Sequence, residues 1–569
     1  MLNNLFRCNF VQLLFFLILG GIVSLLTRYD VLWDLANYHY YNSWALFNDR
    51  WMYDIVPGGI NTFFNPLPDV PLYLLITFFN DYPNLVIFIQ GLWAGAASFV
   101  FFKLITLFFN INNWCGRLQI VLAWLTGVTS WAFFMQIGTT TNEMMMTLMV
   151  ISGYYLIVKA LKNNVEFNLK YFLWAGILLG AAAGLKLTAA TYCVSAGVAI
   201  ILCYRYFKPL NKVLMFLIIG GVIGFLFTFG FWMWRLWTTF DNPVFPLLNN
   251  IFGSEWFEPE SYRDKSFLPK DIWGYVFYPF YILLEKLPVE GRAIIMDFRN
   301  IIMFFVCVGF VLFCGYWRIR DKKHLDFDKK MVFLWVLWFV SYLVWLLTFS
   351  IQRYSIQFLM LSAIIIVQVV SFFYPKEGYV KLIFYGVISI LLFYSLISTP
   401  YYSDFWDKKI EAEGHLIPAI VKIWPEFEED RKFFDQFDGR ARYVQVEDIR
   451  LPENTLLKMY DQPSAAILPL LNKYSQVRGV NMFISSGQWG NVFENNKWLD
   501  LKTKIIKDHD GPVAIMISVC DNFSLTNIFY KYAKNEGMKC HLIDNNMFFW
   551  ILCVPENLEK SVFFGRNYK

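Results

Sequence analysis

Eleven stretches of this chain are apolar over about the length that a bilayer-spanning helix needs, roughly 20 residues. They are Phe10–Leu26, Asn84–Phe109, Leu118–Gln136, Asn142–Ala160, Tyr171–Ala189, Thr191–Tyr206, Val213–Trp237, Ile301–Trp317, Met331–Phe349, Ser355–Tyr374 and Val380–Ile397. A chain built this way must satisfy its backbone polar groups within each span, so the expected architecture is an α-helical polytopic membrane protein. Charged residues are only 16% of the chain. A soluble globular protein carries about 25%, which excludes an ordinary cytosolic enzyme. The net charge of +5 is too small to argue for nucleic acid.

The first run follows a single basic residue, Arg7, and no small-x-small cleavage site follows it. It reads as a retained signal-anchor rather than a signal peptide. With the N-terminus on the cytoplasmic side, every short basic loop falls on that side, from Lys103 and Arg117 to Lys376 and Lys381. This is the distribution that the positive-inside tendency requires. The other side receives Thr27–Pro83, Thr238–Asn300 and everything after Ser398.

Charge is uneven along the chain. The last ~169 residues are roughly 26% charged and the first ~400 roughly 12%, a break that separates a membrane domain, residues 1–400, from an extracytoplasmic soluble domain, residues 401–569. In the latter, Ala441–Val446, Pro512–Val519 and Cys540–Ile543 read as strands, Met547–Val554 as a further apolar run and Leu525–Lys534 as a helix, so an α/β domain is expected. The nine cysteines show no CxxC and no metal-site spacing. If the tail faces an oxidising compartment, one pair among Cys520, Cys540 and Cys553 is expected to be bridged.

The chemistry-bearing segment follows the first span. It runs from Arg28 and Asp30 through Asp34, Asn37, Tyr38, His39, Tyr41, Asn42 and Asp54 to Asn65-Pro66-Leu67-Pro68-Asp69. Carboxylates beside a membrane are costly unless paired or used. Asp34, Asn37, Tyr38 and Tyr41 recur at helical spacing, so one helix face can present them together. An interfacial helix with an aromatic belt accounts for the tyrosines equally well, but not for the acid–amide–histidine cluster. Asp30 and Asp69 also fit helix caps.

An acidic motif in the first outer loop resembles the GT-C superfamily of polytopic glycosyltransferases, which use polyprenyl-phosphate-linked sugars. The segments are Trp33 to Arg50 and Asn61 to Leu75. Four later segments are similar to that superfamily as well: Gly138-Thr139-Thr140-Thr141-Asn142-Glu143, Gly184-Leu185-Lys186-Leu187-Thr188, Asp241-Asn242-Pro243-Val244-Phe245-Pro246 and Arg353-Tyr354. Asp241 stands where those enzymes usually have glycine. The resemblance covers about residues 1–398, and the tail matches no pattern.

The resemblance implies sugar transfer on the outer face, periplasmic in a bacterium, from a polyprenyl-phosphate carrier to a surface glycan or glycolipid, such as O-antigen or lipopolysaccharide. One direct displacement with inversion needs a carboxylate base and cations for the leaving phosphate. Asp34 is the expected base, Asp30 its main rival and Asp69 the third choice. His39 assists the base, binds the acceptor, or is simply hydrogen-bonded structure. Asn37, Tyr41 and Tyr354 join the substrate-binding set. Arg353 is the best phosphate ligand, with a snorkelling arginine as the plain alternative. Lys186 meets the phosphate or pairs with Glu143. Asn142 and Glu143 hold the acceptor or Lys186, and Asn142 alternatively caps a helix. No metal is required, although the acidic loop leaves room for the divalent cation that some relatives use. Phe240–Arg299 reads as a lid or as a simple interfacial loop. A flippase or transporter for lipid-linked sugars would call for repeated halves and a midplane polar path, neither visible here. A polysaccharide polymerase or ligase typically relies on a large late outer loop, and an assembly protein would not need eleven spans.

Overall fold

Each of the first ten apolar runs forms helix. In the computed structural model the described residues are 9–27, 33–162, 168–284, 297–321, 328–373, 386, 389, 422–428, 442–473, 475–483, 493, 495–519, 523–543 and 545–565. Among them, six helices are long and apolar enough to cross a membrane: Asn9–Thr27, Pro83–Ile105, Glu143–Leu161, Leu210–Phe240, Lys329–Thr348 and Gln352–Phe372. Shorter apolar helices include Lys170–Leu185, Leu187–Leu202 and Arg299–Phe313. The run Leu118–Gln136 divides into Trp114–Val128 and Trp131–Phe134 because Ser130 caps the second piece through Phe133 N–H. Val380–Ile397 lies almost wholly outside the described residues. The chain is thus an integral, polytopic α-helical membrane protein with a small C-terminal α/β domain.

The chain divides into two compact units. The first comprises Met1–Thr27, Phe88–Phe231 and Asp264–Tyr402. Its helices approach through glycine. Gly20 faces Gly91 and Gly95, while Gly176 and Gly180 face the backbone from Leu217 to Gly221. Lipid supplies no hydrophobic drive for helices to associate, so close backbone approach has to supply dispersion contact instead. A Cβ added at Gly180 would run into the Gly221 carbonyl; one added at Gly309 would meet nothing within 4 Å.

The second unit comprises Arg28–Ile87, Trp232–Arg263 and Ser403–Lys569. Its sheet has the order β3-β2-β4-β6-β5, with β2 Thr455–Tyr460, β3 Val477–Phe483, β4 Val513–Ser518, β5 Met538–Ile543 and β6 Trp550–Pro555. β2 runs parallel to β3 and β4, and β6 runs antiparallel to β4 and β5. A separate ribbon joins β1 Asp448–Arg450 and β7 Phe563–Gly565. β4, β5 and the helix Phe523–Asn535 match the sequence expectation closely. Within the apolar run Met547–Val554, β6 starts at Trp550. Among the described residues of Ala441–Val446 only an isolated bridge at Val446 forms, and the neighbouring strand begins at Asp448. Cys540 and Cys553 oppose each other on β5 and β6 and form a disulfide.

An exposed sheet edge is a liability, and here the first-loop segment covers it. Ile55 bridges β3, donating N–H to Gly479 O at 2.8 Å and accepting from Asn481 N at 3.0 Å. Beside it the buried Asp54 takes two bonds from Arg50, at 2.7 and 2.8 Å, one from Gly479 N at 2.7 Å and one from the Tyr41 hydroxyl at 3.0 Å. Burial pushes the Asp54 carboxyl above the usual carboxylate value, and the Arg50 guanidinium acts against that. The second loop is pinned by ring packing: Phe63, Phe240, Trp256 and Phe257 all lie against Trp498 of the helix Asn496–Lys507.

Two stability predictions follow from these contacts. Gly180→Val should cost about 1–3 kcal/mol by overpacking and lower the melting temperature in detergent, whereas Gly309→Val should leave it nearly unchanged. Arg50→Ala strands the Asp54 carboxylate, 0% exposed, and should cost about 3–5 kcal/mol. Arg50→Met combined with Asp54→Leu should recover most of that loss in the same thermal measurement.

Candidate functional site

The residues singled out from the sequence gather in two clusters, one in each unit. In the membrane unit, the helix Lys170–Leu185 stops at Lys186, whose backbone is extended. Gly184 permits this turn to sit tightly, because a Cβ there would strike Thr228 and Phe225. Lys186 then reaches the start of the helix Glu143–Lys162. Its ammonium forms an ion pair with Glu143 Oε1 and donates to Thr141 O at 3.1 Å. Arg353 Nε lies 3.8 Å from the same Glu143 oxygen. The Tyr354 ring stands under both cations, 5.3 Å from Lys186 Nζ and 5.4 Å from the Arg353 guanidinium carbon. Tyr192 fixes that tyrosine by donating its hydroxyl to Tyr354 O.

Glu143 is buried, while Lys186 and Arg353 keep 19% and 21% of their side-chain surface exposed. Two partly open cations therefore share one buried carboxylate. Asn142 enters the Glu143 helix in the left-handed region, φ 64°, which asparagine tolerates better than most residues. Its carbonyl accepts from Met146 N at 3.3 Å.

In the second unit, the segment after the first span is helical as expected, but Leu35–His39 is a π turn and α-helix resumes only at Tyr40–Phe47. The extra residue per turn shifts the phase. Asn37, Tyr38, His39 and Tyr41 are buried, and Asp34, half-buried, stands at the N-terminal end of the π turn. Asn37 donates to Gly58 O at 3.3 Å, Asn42 to Asn61 O at 2.9 Å and Ser43 to Pro66 O at 3.2 Å. This helix thereby holds the 58–66 turn by its carbonyls. Tyr41 is occupied by Asp54. Asp30 lies outside the described residues.

His39 and Asp69 form a buried pair, Nδ1 to Oδ1 at 2.5 Å. Asp69 stands at the N-cap position of the helix Val70–Phe79, yet its side chain makes no capping bond. Among the described residues, the buried His39 Nε2 has no hydrogen-bond partner. A carboxylate on Nδ1 and an uncommitted Nε2 is the arrangement that orients an imidazole to accept a proton. Asp54 lies in the chemistry-bearing segment expected from sequence, but its clamping by Arg50 was not anticipated. Its i,i+4 spacing was the available signal, and one contact partner lies over 400 residues away.

Asp241, where the GT-C resemblance has glycine, adopts φ 55°. The position demands a left-handed backbone, and aspartate is among the few side chains that accept one. Among the described residues no three His, Cys, Asp or Glu side chains gather as a metal site would require.

No family model matches the sequence, and no curated protein matches it either. Solved structures do. The crystal structure of ArnT from Cupriavidus metallidurans bound to undecaprenyl phosphate is 11% identical, with a TM-score of 0.50, covering 95% of this chain and 97% of that one. The apo state of the same protein gives a TM-score of 0.46 at the same identity and coverage. ArnT is a GT-C glycosyltransferase. The likeness to its undecaprenyl-phosphate-bound form takes in the tail that no sequence motif reached, and the chain shares that protein's fold over nearly its whole length.

Proposed function

We propose that this protein is a membrane glycosyltransferase that moves a sugar from a polyprenyl-phosphate carrier to a surface glycan or glycolipid acceptor, O-antigen or lipopolysaccharide being the type. The observation that carries this reading is the Lys186–Glu143–Arg353 cluster. Two partly open cations anchored on one buried carboxylate suit a lipid phosphate, and the Arg353 fork can take two of its oxygens. The undecaprenyl phosphate bound by the structural neighbour supports the same class of donor. The Cys540–Cys553 disulfide supports a tail in an oxidising compartment, hence a periplasmic C-terminal domain, a cytoplasmic N-terminus and a bacterial inner membrane. On this reading residues 1–400 form the catalytic membrane domain and residues 401–569 the soluble one.

The reaction is an in-line displacement with inversion. The acceptor hydroxyl oxygen attacks the anomeric carbon as its bond to the carrier phosphate breaks. The hydroxyl proton passes to a carboxylate, assigned to Asp34, and the phosphate leaves with the bonding pair. Lys186 and Arg353 stabilise the charge that grows on it. Asp30 is the rival base. The His39–Asp69 pair assists by holding an imidazole ready to share the proton, and Asn37, Tyr41, Asn142 and Tyr354 shape the binding surfaces.

The test is transfer of labelled sugar from a polyprenyl-phosphate pool to polysaccharide, in membranes matched for protein level. Asp34→Asn should lower turnover by about 10²–10⁴-fold, the range for loss of a general base, while Asp30→Asn stays active. Arg353→Lys should raise the KM for donor by about tenfold, as one lost bidentate contact predicts, with less effect on kcat. Loss only in Asp30→Asn would keep the enzyme and move the base. If the wild type turns over no donor from a broad panel, transport or assembly replaces this reading.

A further inference from the structure

The last turns of the helix Leu210–Phe240 carry Trp232, Trp234, Arg235 and Trp237. Trp234 and Trp237 are 64% and 52% exposed. Tryptophans so placed at the end of a spanning helix mark the headgroup level of a bilayer. Trp232 turns inward instead and donates its indole N–H to Phe63 O at 2.8 Å. With Trp51, whose indole N–H goes to Thr239 at 3.2 Å, it walls an open cleft of about 450 Å³, mouth included.

The polar groups of this cleft are mostly committed. Asp54 is neutralised by Arg50 and also takes the Tyr41 hydroxyl. The Thr62 hydroxyl accepts from Gly58 N at 3.0 Å. Arg235 is the exception among its charged groups. Its guanidinium carbon lies 5.7 Å from the Trp51 ring centre and 5.8 Å from that of Trp232. Among the described residues no carboxylate or carbonyl accepts from its five N–H donors. The two indoles shield and attract the charge but leave its donors unused.

We propose that this cleft binds the phosphate of an anionic membrane lipid, with Arg235 as its ligand. A guanidinium fork matches two phosphate oxygens, and the surrounding indoles strengthen the pair by excluding water. The exposed Trp234 and Trp237, one residue before and two after Arg235, place the cleft where lipid phosphates are concentrated, which favours a headgroup over a soluble anion. The site does not depend on the sugar-transfer reading, and Arg235 has no role in that reading, although Tyr41 lines the cleft.

The test uses the full-length protein in phosphatidylcholine nanodiscs that carry a minor share of phosphatidylglycerol. Lipid retained after detergent extraction is read by native mass spectrometry. The wild type should retain phosphatidylglycerol in preference to phosphatidylcholine. Arg235→Gln should retain about tenfold less, the loss expected for one charge-assisted contact. Circular dichroism in pure phosphatidylcholine checks that the variant folds. Should it fail, Arg235→Met, which keeps an apolar stem over the indoles, is scored in its place. Retention equal to wild type in the folded variant overturns the proposal. So does complete displacement of phosphatidylglycerol by millimolar inorganic phosphate, which would make the cleft a site for free phosphate.

Discussion

Glu143 governs the polar interior of the membrane unit. A charge surrounded by apolar helices is costly unless a partner meets it, and this one carboxylate meets two. Lys186 pairs with it directly and Arg353 approaches the same oxygen. The contrast with Arg299 is instructive. That residue is fully buried, and Asp297, the Thr126 carbonyl and the Thr129 hydroxyl take up its donors. The Arg299 pair is closed because its guanidinium is wholly buried and offers a ligand no open face. The Glu143 cluster keeps both cations partly open.

The second unit answers a different problem. Its first-loop segment is long and irregular, and such a segment must satisfy its backbone polar groups if it is buried. Asn37, Asn42 and Ser43 do this for the 58–66 turn from one helix face, and Ile55 does it for the open edge of β3. Residues that read from sequence as an array of ligands thus prove to spend at least one polar group on the scaffold. Asn37 Oδ1, Asn42 Oδ1 and His39 Nε2 remain without partners among the described residues, so the chemistry open to this segment is narrower than its composition implied.

Spans were legible because hydrophobic length is a one-dimensional property. Sheet order was not. β4, β5 and the helix between them stand out by alternation and turn residues, but Thr455–Tyr460 and Val477–Phe483 were not anticipated. Both are short runs, and β2 is buried on nearly every position. A central parallel strand has no polar face, so it lacks the period-two signal that marks an exposed one. The pairing of His39 with Asp69 was hidden for a related reason. Both residues were marked as chemistry-bearing, yet only the π turn sets the ring toward a carboxylate thirty positions on. A helical wheel drawn at 3.6 residues per turn misplaces everything after Leu35.

A fold shared over 95% of a chain at 11% identity is intelligible in these terms. Spanning helices ask only for apolarity, close helix contacts only for a small residue, and buried loops only for some donor at each carbonyl. Many sequences meet those requirements, so identity decays while the backbone path persists. Asp241 shows the limit of such freedom: its backbone is left-handed, and the position therefore admits glycine, aspartate or asparagine but few others. Function is exempt from this tolerance, since moving a phosphate and a proton needs particular charges at particular atoms. On the proposed reading those charges are Asp34, the His39–Asp69 pair and the two cations on Glu143, and fold likeness without them identifies only a scaffold.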